Sequence, residues 1–129
     1  MQYIGKIDKE KFKNITDDIT TEDVVLTEKQ VDHIKERHPN DYEKYFKYFS
    51  QIIENPDYII RDTMRNTGIL LKEIVEKDER FQLILRLHTN EDNPEYKNSI
   101  ITFFKLSKKK YNQYLRNKEI VWKRLDNNE

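Results

Sequence analysis

The pattern of apolar and polar positions changes period near the middle of the chain. Between residues 27 and 54, apolar side chains recur every three or four positions, which is the spacing of one helical face. Between residues 58 and 106 they come in short runs or alternate with polar residues, as in β-strands. Asn55-Pro56-Asp57 separates the two regions with a strong stop signal. Helices followed by strands indicate the α+β class.

Two helices are predicted before the strands. The first starts after the capping box Thr27-Glu28-Lys29-Gln30 and ends at Arg37 or His38, because Pro39 cannot continue it. The second spans residues 41–54. Its N-cap is Asn40, and its apolar positions at helical spacing are Tyr42, Tyr45, Phe46, Phe49, Ile52 and Ile53. Such a stripe packs into a core more often than it binds a ligand.

Four strands of an antiparallel meander are predicted next. They cover residues 58–62, 67–75, 81–88 and 98–106, and a helix over 107–117 and a short strand over 119–123 follow. The expected fold is two N-terminal helices packed on a four-stranded antiparallel meander sheet, with a late helix and a short C-terminal strand. Residues 1–22 are expected to be a polar N-terminal extension that includes a short strand.

Length and composition predict one domain over residues 1–129. Fifteen Phe, Tyr and Trp residues supply a core, although 37% of the chain is charged. The chain has no cysteine, which excludes disulfides and thiolate chemistry and suits the cytoplasm. No apolar run reaches the length of a membrane span, and the N-terminus has no signal-peptide core, so no membrane association is expected.

Charge is distributed unevenly although the net charge is zero. Residues 1–92 hold 15 Lys and Arg against 20 Asp and Glu, whereas residues 93–129 hold 9 against 4. A zero net charge argues against extensive non-specific binding of nucleic acid. The basic C-terminal third is either a lysine-rich face that keeps the protein in solution or a patch that attracts phosphate groups.

Two of the three histidines lie in the segment from His33 to Pro39. Imidazole titrates near neutrality, so two histidines beside an arginine suggest proton transfer at an anionic substrate. His33 and Arg37 share a helical face and Glu36 lies beside them, whereas His38 is about 140° away on an ideal helix. Helix termination before Pro39 relaxes that separation. The ordinary alternative is a pair of surface or capping histidines.

The same segment does not fit a zinc site. The metalloprotease pattern requires histidines four positions apart with glutamate next to the first, and neither condition holds. We therefore expect no metal and no cofactor.

A second polar cluster lies in the predicted sheet. Arg86 and His88 project from one face of the third meander strand, and Ser99, Thr102 and Lys105 lie on the fourth. Antiparallel pairing would bring these groups near one another. Arginine and hydroxyl groups in this arrangement bind a phosphoryl group, although a solvated polar side of a sheet has the same pattern.

Three sequence blocks together resemble the phage-associated branch of the barnase–EndoU–colicin–RelE superfamily of RNA-cleaving domains. They are residues 27–39, Leu83-Ile84-Leu85-Arg86-Leu87, and residues 98–104, and the resemblance spans roughly residues 22–124. It implies an active site between the helix motif and the open face of the sheet. The residues that it carries onto this chain are His33, Arg37, His38, Arg86, Ser99 and Thr102.

The resemblance implies a metal-independent endoribonuclease that makes a 2′,3′-cyclic phosphate. Two of His33, His38 and Glu36 would act as base and acid, with His88 in reserve. Arg37 and Arg86 would hold the phosphate, Ser99 or Thr102 would bond to its oxygens, and Lys105 is a further candidate. Tyr42, Tyr45 and Phe103 are candidates for stacking on a base.

The expected substrate is RNA, with tRNA as one candidate, and an inhibitor or immunity protein is a candidate partner. A phage or mobile-element toxin would fit this activity. The alternative is a non-catalytic phage-associated binding or morphogenesis module with the same fold. The oligomeric state does not follow from the sequence.

Overall fold

The computed structural model describes residues 1–125 and has the α+β composition that the apolar pattern predicts. The strands are β1 Gln2–Lys6, β2 Asp23–Leu26, β3 Tyr58–Arg61, β4 Thr67–Ile74, β5 Glu79–Arg86, β6 Asn98–Leu106 and β7 Ile120–Lys123. The α-helices are α1 Glu28–Arg37, α2 Asp41–Tyr45, α3 Phe49–Glu54 and α4 Lys108–Asn117. Short 3₁₀ segments cover Lys9–Phe12, Phe46–Tyr48 and Val75–Lys77.

The prediction of a four-stranded antiparallel meander sheet was wrong. All seven strands form one mixed sheet in the order β1-β2-β6-β5-β4-β3-β7. The meander lies within it, but β2 pairs parallel to β6 through Val24–Asn98 and Val25–Ser99, and β7 pairs with β3. The extra strands satisfy backbone groups that an isolated meander would leave unpaired along its two edges.

Local signals at the helix ends are confirmed. The Thr27 hydroxyl accepts a hydrogen bond from the Gln30 N–H at 3.2 Å, and the Ser107 hydroxyl does the same for Lys110 at 3.1 Å. Helix α1 ends at Arg37, and His38 follows with a non-helical backbone (φ −136°, ψ 71°). The restriction that Pro39 places on its preceding residue explains this end.

The second predicted helix is interrupted. Its span contains α2, a 3₁₀ segment and α3, and Asn40 precedes it with φ 76° and no side-chain capping bond. Tyr45 and Phe49, on either side of the 3₁₀ segment, are both buried. The interruption thus keeps the aromatic stripe in the core.

The main core lies between the N-terminal helices and one face of the sheet. Phe81, Leu83 and Leu85 of β5 point to this face and are fully buried, as strand alternation predicts. The Phe103 ring packs against Phe49 with centroids 4.4 Å apart. Phe103 is therefore a core residue.

Helix α4 covers part of the opposite sheet face. Its Tyr111 packs with Ile60, Ile69 and Leu71 of β3 and β4, and with Leu106 at the end of β6. Within residues 1–125, no helix is long and apolar enough to cross a membrane. The β5–β6 part of this face is less well covered, and the candidate site lies there.

Candidate functional site

A strip of side chains, which we call the groove, runs along β5 and β6 on the sheet face that carries α4, and its apolar members Ile84 and Phe104 pack against the cluster around Tyr111 of α4. We define it by Ile84, Arg86, Ser99, Thr102 and Phe104, all of which are half-buried. Antiparallel pairing sets Arg86 opposite Ser99 and Ile84 opposite Thr102. A bulge between Ile84 and Leu85 lets both pairs share this face. The groove thus combines a cation, two hydroxyls and apolar surface.

The Arg86 guanidinium is held at one end of the groove by the loop after β5. Its Nη2 donates to Asp92 Oδ1 at 2.9 Å, and its Nη1 donates to the Leu87 carbonyl. The Thr89 N–H donates to the other Asp92 oxygen at 2.8 Å. That backbone bond, aided by Arg86, lowers the pKa of the Asp92 carboxyl. Arg86 is therefore oriented before any ligand arrives.

His88 fastens the same loop to the N-terminal part of the chain. Only 6% of this residue is exposed, and its Nε2 lies 2.7 Å from the Asn93 carbonyl oxygen. Because a carbonyl only accepts, Nε2 carries a proton and donates it to Asn93, and Nδ1 forms a hydrogen bond with the Thr20 hydroxyl. Both ring nitrogens are thus engaged, and an acid–base role would require breaking one of these bonds.

Helix α1 borders the groove along β6. The Lys35 ammonium lies 5.2 Å from the centroid of the Tyr42 ring and 3.2 Å from the Glu43 carboxylate. The side of α1 that carries Lys35 therefore faces α2. His33 and Arg37 are each two positions from Lys35, about 200° around the helix, and therefore lie on the opposite flank. His33 is half-buried, whereas Arg37 and Glu36 are exposed and form no hydrogen bond or ion pair within residues 1–125.

His38 lies at the other end of the groove from Arg86. Its ring stacks on Phe104 with centroids 4.4 Å apart and an interplanar angle of 24°. Burial is the main cause that lowers the pKa of His38; Arg37 and His33 lower it further, and Asp41 opposes them. The neutral imidazole is therefore favoured at pH 7.

The two predicted clusters occupy different positions along the groove. Ser99 and Phe104 are five residues apart on β6, which is about 16 Å of strand. The eleven residues from Thr27 to His38 rise by about the same length along a helix. Thr27 and Ser99 both line a cavity at the Arg86 end, whereas His38 contacts Phe104 at the other. The site is therefore extended.

Lys105 lies outside the groove. It is three positions from Thr102 on an extended strand, so its side chain points to the opposite sheet face. There its ammonium lies 5.8 Å from the Tyr45 ring centroid and 3.6 Å from the Glu79 carboxylate. Despite partial desolvation, Tyr45 and Glu79 raise the pKa of Lys105. The structure does not bring Lys105 together with Arg86.

A cavity of about 660 Å³ opens beside Arg86. Its lining comes from the N-terminal residue, β2 and the cap of α1 that follows it, the ends of β5 and β6, and the loop between them: Met1, Val25, Thr27, Arg86, Leu87, His88, Asp92, Glu95, Tyr96, Lys97 and Ser99. Within residues 1–125, no group of three or more His, Cys, Asp or Glu side chains converges as a metal site would require.

Sequence reasoning missed the structural role of Asp92, and it noted Asn98 only as part of the block of residues 98–104. The Asn98 amide donates to the Thr21 carbonyl at 2.7 Å and to the Asp23 carbonyl at 3.0 Å, and its Oδ1 accepts from the His88 N–H at 2.7 Å. Asp92 stands three residues after Thr89, a spacing at which a carboxylate can close a turn. That spacing was the available signal for Asp92, whereas the partners of Asn98 are remote in sequence.

The class of this α+β domain follows from its similarity to a known family. The family model described as phage-Barnase-EndoU-ColicinE5/D-RelE like nuclease 2 matches residues 1–123, and the chain belongs to this family. The family resemblance seen in the sequence is thereby confirmed. No curated protein and no solved structure matches the chain.

Proposed function

We propose that this domain is a metal-independent endoribonuclease that binds an RNA strand along the groove. The observation that carries the proposal is the groove itself: in a chain of a nuclease family, arginine, hydroxyl and imidazole side chains lie along one strip of the sheet. Its length of about 16 Å exceeds one phosphate, so the two clusters contact successive nucleotides. Arg37 and Arg86 bind phosphates, and Ser99 and Thr102 bond to their oxygens.

The reaction is an internal displacement at phosphorus. A base removes the proton of the ribose 2′-hydroxyl, and the 2′-oxygen forms a bond to phosphorus while the bond to the 5′-oxygen breaks. An acid protonates the departing 5′-oxygen, which leaves a 2′,3′-cyclic phosphate and a 5′-hydroxyl. His33 and His38 act as the acid–base pair, with Glu36 as the third candidate. The lowered pKa of His38 suits the base.

The test is cleavage of labelled RNA in EDTA by the wild-type protein and by His33→Ala, His38→Ala and Arg86→Ala. We expect cyclic-phosphate ends from wild type and a loss of at least about 100-fold in His33→Ala and His38→Ala, as when a general catalyst is removed. Arg86→Ala should weaken RNA binding and so slow cleavage, because Arg86 binds a neighbouring phosphate. Arg65→Ala is the matched control, because Arg65 is exposed and pairs with Glu91 at the surface. Equal cleavage by all variants, or inhibition by EDTA, would refute the proposal.

The second candidate is a non-catalytic binding module of the same fold. It is favoured by the zero net charge and by the Arg86–Asp92 ion pair, which already neutralises the groove arginine. This candidate predicts binding of RNA or protein without new RNA ends in the same assay. The cleavage products therefore distinguish the two functions.

A further inference from the structure

Resting on the proposed function, we infer that the cavity beside Arg86 and Ser99 holds one nucleobase of the RNA strand in the groove. The cavity volume of about 660 Å³ is within the range of roughly 300–1,000 Å³ that is usual for small-molecule sites. Because Arg86 and Ser99 line both cavity and groove, a nucleotide bound there would have its phosphate at these two residues and its base in the cavity.

The lining suits a flat heteroaromatic group. Val25 and the exposed Met1 are apolar residues of the lining. Thr27 and Ser99, which carry hydroxyl groups, also line the cavity. An apolar enclosure with a few polar groups that fix orientation is the usual form of a site for such ligands.

Tyr96 is the lining residue that gives the strongest support for a nucleobase as the ligand. It lines the cavity, yet 65% of it is exposed, and it belongs to neither hydrophobic core. An exposed aromatic ring at a cavity is an available surface for base stacking, which contributes about 1–3 kcal/mol per base. The burial of Phe103 and Tyr45 removes these two earlier candidates for stacking.

The loop that carries Tyr96 is pre-organised. The Tyr96 N–H donates to the Asn93 carbonyl at 3.0 Å, and the Glu95 N–H donates to the Asn93 side chain at 2.9 Å. His88 holds the same Asn93 carbonyl from the sheet side at 2.7 Å. A loop that is already ordered loses less conformational entropy when it binds a ligand.

Charged side chains at the cavity can contact both parts of a nucleotide. Arg86 and Lys97 pair with Asp92 at 2.9 Å and with Asp23 at 3.5 Å, and a nucleotide phosphate would share these cations with the two carboxylates. The exposed Glu95 carboxylate is an acceptor for base N–H groups. The base occupies the apolar side, and the phosphate remains at the groove. A ligand that lacks the base would therefore lose the contact with Tyr96.

Nucleotide binding tests this inference independently of catalysis. The full chain is titrated with each of the four 3′-ribonucleoside monophosphates and with ribose 5-phosphate, followed by NMR. We expect the nucleotides to shift the Tyr96 ring resonances and ribose 5-phosphate to leave them unchanged. Tyr96→Ala should weaken nucleotide binding by about 5- to 150-fold, the equivalent of the stacking contribution. Tyr96→Phe keeps the ring and should retain binding.

Val75→Ala is the control, since Val75 is also a large exposed apolar residue (75%) but follows β4 at the far end of the strand pair. Selective weakening in Tyr96→Ala without any RNA cleavage would support the base site and refute the catalytic proposal. Cleavage with unaltered nucleotide affinity and base preference in a folded Tyr96→Ala protein would refute the base site alone.

Discussion

Replacing Asp92 with asparagine should loosen the loop that forms one side of the cavity. One carboxylate oxygen binds Arg86 at 2.9 Å, and the other accepts from the Thr89 N–H at 2.8 Å and the Thr89 hydroxyl at 3.3 Å. Asparagine has one acceptor oxygen and no charge, so it can keep one of these two anchors. Asp92→Asn therefore removes the ion pair in either orientation of the amide, and when its oxygen faces Arg86 it removes the turn bond as well.

The magnitude follows from the lost bond. A hydrogen bond to a charged group contributes about 1.5–3 kcal/mol, and the partial exposure of this pair places the loss near the lower end. We expect the free energy of unfolding to fall by about 1–2 kcal/mol, which lowers the Tm by roughly 4–8 °C for a domain of this size.

The dependence on pH has a definite sign. Because the fold lowers the pKa of Asp92, its ionised form stabilises the native state above the unfolded pKa of about 3.9. This contribution is lost as the pH falls through the lower folded value. The difference between wild type and Asp92→Asn should therefore shrink between pH 7 and pH 3.

Urea denaturation followed by circular dichroism at both pH values measures this difference. Glu91→Gln is the matched control, because Glu91 is the adjacent loop carboxylate and pairs with Arg65 on the exposed surface at 2.5 Å. Such pairs contribute about 0–1 kcal/mol. Equal stabilities of the two variants at pH 7, or a difference that stays constant at pH 3, would contradict the role assigned to Asp92.

Three further predictions concern the groove, the core and the basic helix. An NMR titration should place the pKa of His38 below its usual value; Arg37→Ala should raise it and Asp41→Asn should lower it, and shifts of the same sign would contradict the electrostatics. Phe103→Ala should cost about 3–5 kcal/mol in urea denaturation, because this fully buried ring packs in the aromatic core, and a loss below 1 kcal/mol would argue against that packing. Changing Lys108–Lys110 to glutamine should weaken RNA binding. The slope of log binding constant against log salt concentration should become smaller by about 0.7 for each lost phosphate contact, and an unchanged slope would assign these lysines to solubility.

Much of the local structure was predictable because its causes lie within a few residues. The Thr27 cap, the helix end before Pro39 and the alternation through β5 depend on nearby hydrogen bonds and side-chain period. The interruption between α2 and α3 had no comparable signal, since helical spacing continues through it.

The candidate site was predictable only in part. Residue types indicated which side chains suit phosphate chemistry, but not that Asp92 holds Arg86 or that His88 is fully engaged in fastening a loop. The side-chain alternation of β6 excludes Lys105 from the face that carries Thr102. The cavity was not predictable either, because Val25 and Tyr96 meet only through the fold.

Helix α1 and strand β2 show what the sequence determines locally and what requires the tertiary structure. The sequence by itself determined that Glu28–Arg37 is a helix, since capping and proline restriction act over one turn. Only the tertiary structure decided that β2 pairs parallel to β6 and, together with β1 and β7, widens the four-stranded meander to seven strands. The pairing of Val24 with Asn98 joins strands that are remote in sequence, and the unpaired edge that selects the partner exists only once the meander has formed. The cavity beside Arg86 arises from that pairing.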